Sequence, residues 1–168
     1  MMLHFGHLAA RPATEADQGF LHELYAATRA DLLHLPVPRA VIDAITAHQR
    51  QLQAQAYAEA YPQAHCLVLE DAGVPVGRVV LDRTGTDLRL VDLAIVPFMR
   101  RKGNARAVLR ALQERAMREG WSVSLRVRRD NAQARALYAG AGFRPVAADA
   151  AAEQLRWAPG DEAPPSHS

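Results

Sequence analysis

The first sixty residues carry apolar side chains at helical spacing. A capping-box pattern, with an acid three positions after a threonine, runs from Thr14 to Asp17 and marks a helix start. Behind it, residues at positions i, i+3, i+4, i+7 and i+11 share one helical face: Leu21, Leu24, Tyr25, Thr28 and Leu32. Prolines in segment 34–38 end this helix, and a second helix is predicted from about Arg39 to Tyr61, before Pro62. We expect the second helix to turn these residues inward: Val41, Ile45, Leu52 and Ala56.

After Tyr61 the pattern changes to a period of two. Alternating apolar residues predict strands over 66–70, 74–82 and 88–96, separated by turn-forming segments. A helix is then predicted from Gly103 to a stop at Gly120. Its inward face should comprise Ala105, Val108, Leu109, Leu112 and Ala116. The remaining predicted elements are a strand over 122–127, a helix over 132–141, and strands over 143–146 and 153–157.

These elements indicate one mixed α/β domain. The chain has 168 residues, which suits a single domain. The predicted order combines an antiparallel meander with one β-α-β crossover, which makes one parallel pair of strands. We expect a domain over 1–158 with about six to seven strands, mostly antiparallel, flanked by about four helices. The proline-rich, polar tail 159–168 is predicted to be disordered.

Composition narrows the class of protein. Hydrophobic residues make up 49% and charged residues 23%, which excludes a mainly disordered chain. The apolar stretches are far shorter than the roughly 20 residues that span a bilayer, and no secretory signal is visible at the N-terminus. Cys66 stands alone, so the chain cannot form an intrachain disulfide framework or a cysteine-rich zinc site. We therefore expect a cytoplasmic protein with no membrane contact and no metal.

Positive charge is concentrated in one segment. The net charge is +2, but residues 97–130 hold ten Lys or Arg against three acids and the rest of the chain is negative. This asymmetry indicates an anionic partner, either a phosphorylated cofactor or a nucleic acid. Because Phe and Trp are few and no helix-turn-helix, RRM or OB pattern is present, we expect no nucleic-acid partner.

The segment 91–106 joins a strand, a turn and the start of a helix. A helix start leaves about four backbone N–H groups unpaired, and its dipole favours an anion. Small residues at Gly103 and Ala105 allow a phosphate to approach these amides. Basic side chains add charge around them: Arg100, Arg101, Lys102 and Arg106. The pattern favours a diphosphate site that includes Asn104, and the alternative is an ordinary strand-to-helix turn with solvated arginines.

Two motifs resemble those of the GNAT superfamily of N-acetyltransferases. Residues 96–105 read V-P-x-x-R-x-x-G-x-A, which is similar to the family's pyrophosphate loop. Residues 125–143 match the signature L-x-V-x-x-x-N-x-x-A-x-x-L-Y-x-x-x-G-F at every fixed position. Residues 10–17 resemble the usual first strand and helix. The resemblance covers about residues 7–157 and is strongest over 88–146.

The resemblance implies an acetyl-CoA-dependent N-acetyltransferase of GNAT-type fold. It implies that two neighbouring strands splay apart and that the backbone of a bulged strand binds the pantetheine arm, here at Leu93, Ala94 and Ile95. The loop amides of 101–106 would bind the diphosphate, Asn131 would contact the cofactor, and Tyr138 would protonate the departing thiolate. From spacing alone, Asn131 could instead cap a helix and Tyr138 could be a core residue.

The residue at the position of the general base differs from that in one branch of the family. Some protein-acetylating members carry a Glu where this chain has Arg126, and a guanidinium cannot act as a base at neutral pH. Asp92 is the replacement candidate because it interrupts an apolar run and should be partly desolvated. The alternative is that Asp92 forms a structural ion pair, with Arg89, Arg78 or Arg126.

The acceptor is expected to bind between the first two helices. Tyr25 and Arg29 are the candidate binding residues, and Arg29 could meet a substrate carboxylate. We expect the protein to be an enzyme that acetylates a small amine or an amine on a larger molecule. The alternative is a non-catalytic acyl-CoA-binding or sensing module of the same fold. The sequence leaves the acceptor, the range of acyl groups and the oligomeric state open.

Overall fold

The structure, a computed structural model, describes residues 3–100 and 103–160. Arg101, Lys102 and the tail beyond Gly160, all named above in predictions, lie outside the described residues. The α-helices are α1 (Gln18–Thr28), α2 (Arg39–Ala60), α3 (Asn104–Glu119) and α4 (Ala132–Gly140). The strands are β1 (Leu3–Phe5), β2 (Leu8–Pro12), β3 (His65–Asp71), β4 (Val74–Thr84), β5 (Asp87–Ile95), β6 (Ser122–Arg128), β7 (Arg144–Ala148) and β8 (Ala152–Trp157). Short 3₁₀ turns cover Glu15–Asp17, Ala30–His34 and Pro97–Met99.

One sheet runs through the described residues in the order β1-β2-β3-β4-β5-β6-β8-β7. The pair β5–β6 is parallel and the other neighbouring pairs are antiparallel, which confirms the predicted mixed sheet. The sheet has eight strands rather than the expected six to seven. The additional strand is β1, whose three residues are too few to show an alternating pattern.

The core lies between the sheet and the helices that contact it. Helix α3 contacts β1, β5 and β6, and α1 contacts β4 and β5. The predicted inward face of α3 is confirmed at four of its five positions, which are buried: Val108, Leu109, Leu112 and Ala116. Its fifth predicted position, Ala105, is half-buried. No helix within the described residues is long and apolar enough to cross a membrane.

The predicted inward face of α2 is wrong at three of its four positions. Val41 is 43% exposed and Leu52 is 49% exposed, Ala56 is exposed, and Ile45 is half-buried. The residues that face the protein are instead buried or half-buried: Ile42, Thr46, Gln49, Gln53 and Tyr57. Two of these glutamines accept hydrogen bonds from arginines, Gln49 from Arg29 and Gln53 from Arg78. Polar partners on neighbouring elements therefore set the rotation of α2, which apolar spacing alone does not reveal.

The parallel strands separate part-way along their length. Their pairing runs from Asp87 beside Ser122 to Leu90 beside Leu125. Beyond Leu90 and Leu125 the two strands no longer pair with each other. There β5 stays paired with β4 only, and β6 stays paired with β8 only. Val80 of β4 lies opposite Asp92 and Leu81 lies opposite Leu90, so Val91 is the extra residue of a β-bulge. The bulge and the separation open the sheet next to the start of α3.

Candidate active site

A cavity of about 1040 Å³ lies where β5 and β6 separate. Its walls come from α1, the end of β5, the start of α3 and the helix α4. The predicted site residues that line it are Tyr25, Asp92, Leu93, Ala94, Ile95, Arg100, Gly103, Asn104, Ala105, Arg106, Asn131 and Tyr138. The fold therefore brings together residues more than one hundred positions apart in the chain.

The start of α3 presents backbone N–H groups to this cavity. Gly103 caps the helix in the left-handed region, with φ of 77°, and leaves open space where a Cβ would stand. None of the described residues accepts a hydrogen bond from the N–H groups of Asn104, Ala105 or Arg106. This is the anion-binding arrangement that the sequence predicts at a helix start.

The Asn104 side chain holds the turn in place. It is buried, its Oδ1 accepts a 2.7 Å hydrogen bond from His7 Nε2, and its Nδ2 donates to Met99 O over 2.9 Å. Arg100 Nε donates to Ile95 O over 3.0 Å, which ties the turn to the end of β5. The side chain of Asn104 thus serves to hold the turn, and its backbone N–H has no acceptor among the described residues.

Tyr138 reaches the cavity from α4. Its ring packs edge-to-face on Phe143, with 5.8 Å between the ring centroids. Burial, with a smaller contribution from the Asp92 carboxylate, raises the pKa of Tyr138 to about 12. The phenol therefore keeps its proton throughout the neutral pH range. Asn131 caps α4 by accepting a 3.1 Å hydrogen bond from the Ala134 N–H, and it also lines the cavity.

Asp92 forms an ion pair with Arg78, one of the three partners considered from the sequence. Arg78 Nη2 donates both to Asp92 Oδ2 and to Gln53 Oε1. Burial opposes the charge on Arg78, but the Asp92 carboxylate outweighs burial and raises the pKa of Arg78. Oδ2 of Asp92 is thus engaged by Arg78, and Oδ1 accepts no hydrogen bond from the described residues.

The two candidate acceptor residues separate in the structure. Tyr25 is buried on α1 and lines the cavity. Arg29 lies outside the cavity lining, where it pairs with Asp31 and donates to Gln49. Sequence reasoning missed Gln53 as a cavity residue and gave Arg78 no role beyond ion pairing. A charged residue inside the apolar run of β4 is the one local signal that could have identified Arg78.

Within residues 3–100 and 103–160, no group of three or more His, Cys, Asp or Glu side chains could hold a metal ion.

Comparison with known proteins settles the family. Residues 21–143, well over half of the chain, match the Acetyltransferase (GNAT) family. This chain belongs to the GNAT acetyltransferase family. The match spans both the turn at Gly103 and the helix that carries Tyr138, so the cavity of this GNAT domain lies within the matched region.

Solved structures share the fold over nearly the whole chain. PaiA N-acetyltransferase from Thermoplasma acidophilum, solved in complex with coenzyme A, is 15% identical, with a TM-score of 0.66, over 90% of this chain and 98% of that chain. An acetyltransferase from Thermus thermophilus is 21% identical, with a TM-score of 0.66, over 93% and 99%. The ribosomal-protein-S18-alanine N-acetyltransferase from Escherichia coli is 16% identical, with a TM-score of 0.61, over 90% and 93%. Among curated proteins, no significant match was found.

Proposed function

We propose that this chain is an N-acetyltransferase that transfers the acetyl group of acetyl-CoA to a primary amine by direct attack within a ternary complex. The observation that supports this most is the shared cavity, which joins the amides of α3, the bulged strand β5 and Tyr138. The coenzyme A complex of the T. acidophilum relative supports the same ligand. The lone Cys66 favours a cytoplasmic location.

The cavity offers a fit for coenzyme A at its α3 end. The N–H groups of Asn104, Ala105 and Arg106 point to a diphosphate site, and Arg100 and Arg106 add positive charge beside it. Basic side chains at Arg101 and Lys102 would add to that charge. The backbone of Leu93, Ala94 and Ile95 lies beside the gap between β5 and β6, where it can bind an extended pantetheine arm, and Asn131 lines the opposite side.

When bound, acetyl-CoA supplies a thioester, whose carbon–sulfur bond breaks as the new carbon–nitrogen bond forms. A backbone N–H of β5 polarises the thioester oxygen. The phenol of Tyr138 donates its proton to the departing sulfur. Asp92 removes a proton from the amine, directly or through water, with Oδ1 as the proton acceptor.

Thiol release from acetyl-CoA, measured across amino acids, polyamines, aminoglycosides and peptides, tests this function. We expect amine-dependent release and an N-acetylated product in equal amount. The competing function is a non-catalytic acyl-CoA-sensing module. Tight coenzyme A binding without thiol release for any amine would favour that module, whereas the presence of Tyr138 in the cavity favours the enzyme.

The role of Asp92 is tested by Asp92→Asn, which keeps the shape of the side chain and removes its basicity. We expect kcat/KM for the acceptor to fall by roughly 100-fold or more. The matched control is Asp43→Asn, at an exposed ion pair on α2. An unchanged pH–rate profile and kcat/KM in Asp92→Asn would rule out this role.

A further inference from the structure

The ion pair between Arg78 and Asp92 lies on the part of the cavity wall formed by β4 and β5. The two residues are diagonal neighbours on β4 and β5, and their side chains are 13% and 24% exposed. Both line the cavity, so the exposed part of each side chain faces it. The pair therefore forms a charged patch on the wall that the acceptor must approach.

Several polar atoms of this pair are unused. Arg78 Nε is buried and has no hydrogen-bond partner among the described residues. Its Nη1 and the Oδ1 of Asp92 also bond to none of the described side chains, because the observed contacts engage Nη2 and Oδ2. Buried polar groups normally find partners. The pair thus keeps two donor nitrogens, Nε and Nη1 of Arg78, and one acceptor oxygen, Oδ1 of Asp92, and of the donors Nη1 is the one proposed to reach a ligand.

The charges around the cavity limit the kind of acceptor. Among the residues of the cavity wall that the structure describes, four are arginines and one is an acid: Arg78, Arg100, Arg106, Arg128 and Asp92. The acid is already paired with Arg78. Arg100 and Arg106 are proposed to face the diphosphate, so an acceptor with several positive charges would meet Arg78 and Arg128 and would have the single carboxylate of Asp92 to share. A molecule with one amine and one carboxylate would complement both halves of the pair.

The α1 wall of the cavity is mainly apolar, with Thr28 as its polar residue. Helix α1 contributes Leu21, Leu24 and Ala27 to the cavity, and the buried ring of Tyr25 lies among them. An uncharged, apolar side chain on the acceptor can be buried against this wall, whereas a charged one would lose its hydration without a partner.

We propose that the acceptor is an amino acid with an apolar side chain, whose carboxylate binds Arg78 and whose amine is held by Asp92 Oδ1. Arg78 donates through Nη1 to the carboxylate and keeps its bond to Asp92 through Nη2. The side chain of the acceptor packs against α1. This inference rests on the proposed acetyl transfer and adds a specificity residue, Arg78, to it.

Three acceptors with one side chain test the carboxylate directly: L-leucine, L-leucinamide and 3-methylbutylamine, with spermidine as a polycation. We expect kcat/KM for leucine to exceed that for each of the others by about tenfold or more. The amide has the larger fraction of neutral amine near pH 8, so a preference for leucine cannot come from amine reactivity. Calorimetric binding of the same molecules to the coenzyme A complex gives a readout independent of turnover.

The variant Arg78→Gln should reduce the leucine-to-leucinamide ratio of kcat/KM about tenfold or more, and Arg78→Lys should restore part of it. A purely structural role would lower both acceptors equally and leave the ratio unchanged. Arg100→Gln is the matched control, because it removes an arginine that lines the same cavity and is proposed to face the diphosphate. It should raise KM for acetyl-CoA and leave the ratio unchanged.

Failure of this inference differs from failure of the proposed function. Acetylation of leucinamide, 3-methylbutylamine or spermidine as efficient as that of leucine would overturn the inference and leave acetyl transfer standing. Equal binding of leucine and leucinamide to the coenzyme A complex would do the same, even if Arg78→Gln did not fold. Absence of both coenzyme A binding and thiol release would instead reject the enzyme itself.

Discussion

The chemistry available to Tyr138 depends on its surroundings. A phenol in water titrates near pH 10, but burial on α4 raises the pKa of Tyr138 to about 12. A general acid must carry its proton when the leaving group departs. Tyr138 therefore keeps its proton at neutral pH, as the proposed role of general acid requires.

We expect Tyr138→Phe to lower kcat by one to three orders of magnitude while acetyl-CoA still binds, because the ring keeps its contact with Phe143. The raised pKa adds a pH prediction. The acid form is lost only as pH rises through about 12, so kcat of the wild type should not fall between pH 7 and 10 through Tyr138. An alkaline limb near pH 10 that vanishes in Tyr138→Phe would contradict this, as would full turnover of the variant.

A second residue-scale pair stabilises the fold away from the cavity. Asp17 accepts two 2.8 Å hydrogen bonds from Arg11 and one of 2.8 Å from the Thr14 N–H, which confirms the predicted capping box. Arg11, followed by the Thr14 N–H, holds the pKa of Asp17 well below its ordinary value of 3.8. Since the folded pKa is depressed, this stabilisation is present above about pH 4 and is lost as the pH falls further.

We expect Asp17→Asn to lower the free energy of unfolding by about 2 kcal/mol at pH 7, because the buried Asp17 side chain loses the charge that faces the half-buried Arg11. Urea unfolding measures the difference, which should shrink progressively below pH 4. Asp43→Asn, at the exposed pair with Arg39, is the control and should change stability little. Equal stability of Asp17→Asn and the wild type at pH 7 would argue against the pair.

At the scale of elements, close packing between β4 and β5 fixes the strand that faces the ligand. A Cβ on Gly77 would lie 2.6 Å from Ala94 O and 2.9 Å from Ile95 Cδ1. Gly77 is therefore required by the close approach of the two strands. The residues that it would displace are those proposed to bind the pantetheine arm.

Gly77→Ala should destabilise the fold by about 1–3 kcal/mol and raise KM for acetyl-CoA several-fold, because β5 must shift. Gly19→Ala is the control, since Gly19 lies in α1 with open space around it and should not be destabilised. Thermal unfolding and steady-state kinetics measure both effects. Wild-type stability and KM in Gly77→Ala would show that β5 tolerates the shift.

Elements also show where sequence reasoning succeeds. Strands and helices with strong periodicity were predicted almost to the residue, as for α3 and β6. The rotation of α2 was not, because Gln49 and Gln53 face inward to meet arginines from other elements. The spacing of apolar residues predicts where a helix begins and ends. Which face of α2 is buried depends on arginines that lie tens of residues away in the sequence.

In the whole molecule, local sequence predicts one part of the cavity, and contacts between distant segments form the other. The α3 end is encoded in one continuous segment, so Gly103 and its neighbours could be named from the sequence. The acceptor end joins Tyr25, Gln53, Arg78 and Asp92 from four elements. Of these, the sequence suggested Tyr25 and Asp92, and the folded sheet was needed to add Arg78 and Gln53.

Calorimetric titration with coenzyme A tests the central claim most directly, with pantetheine as the comparison ligand because it lacks the diphosphate. If the amides of Asn104, Ala105 and Arg106 bind the diphosphate, coenzyme A should bind one per chain, at least about 100-fold more tightly than pantetheine, and its affinity should fall with added salt. No heat with coenzyme A, or equal affinity for pantetheine, would contradict the account.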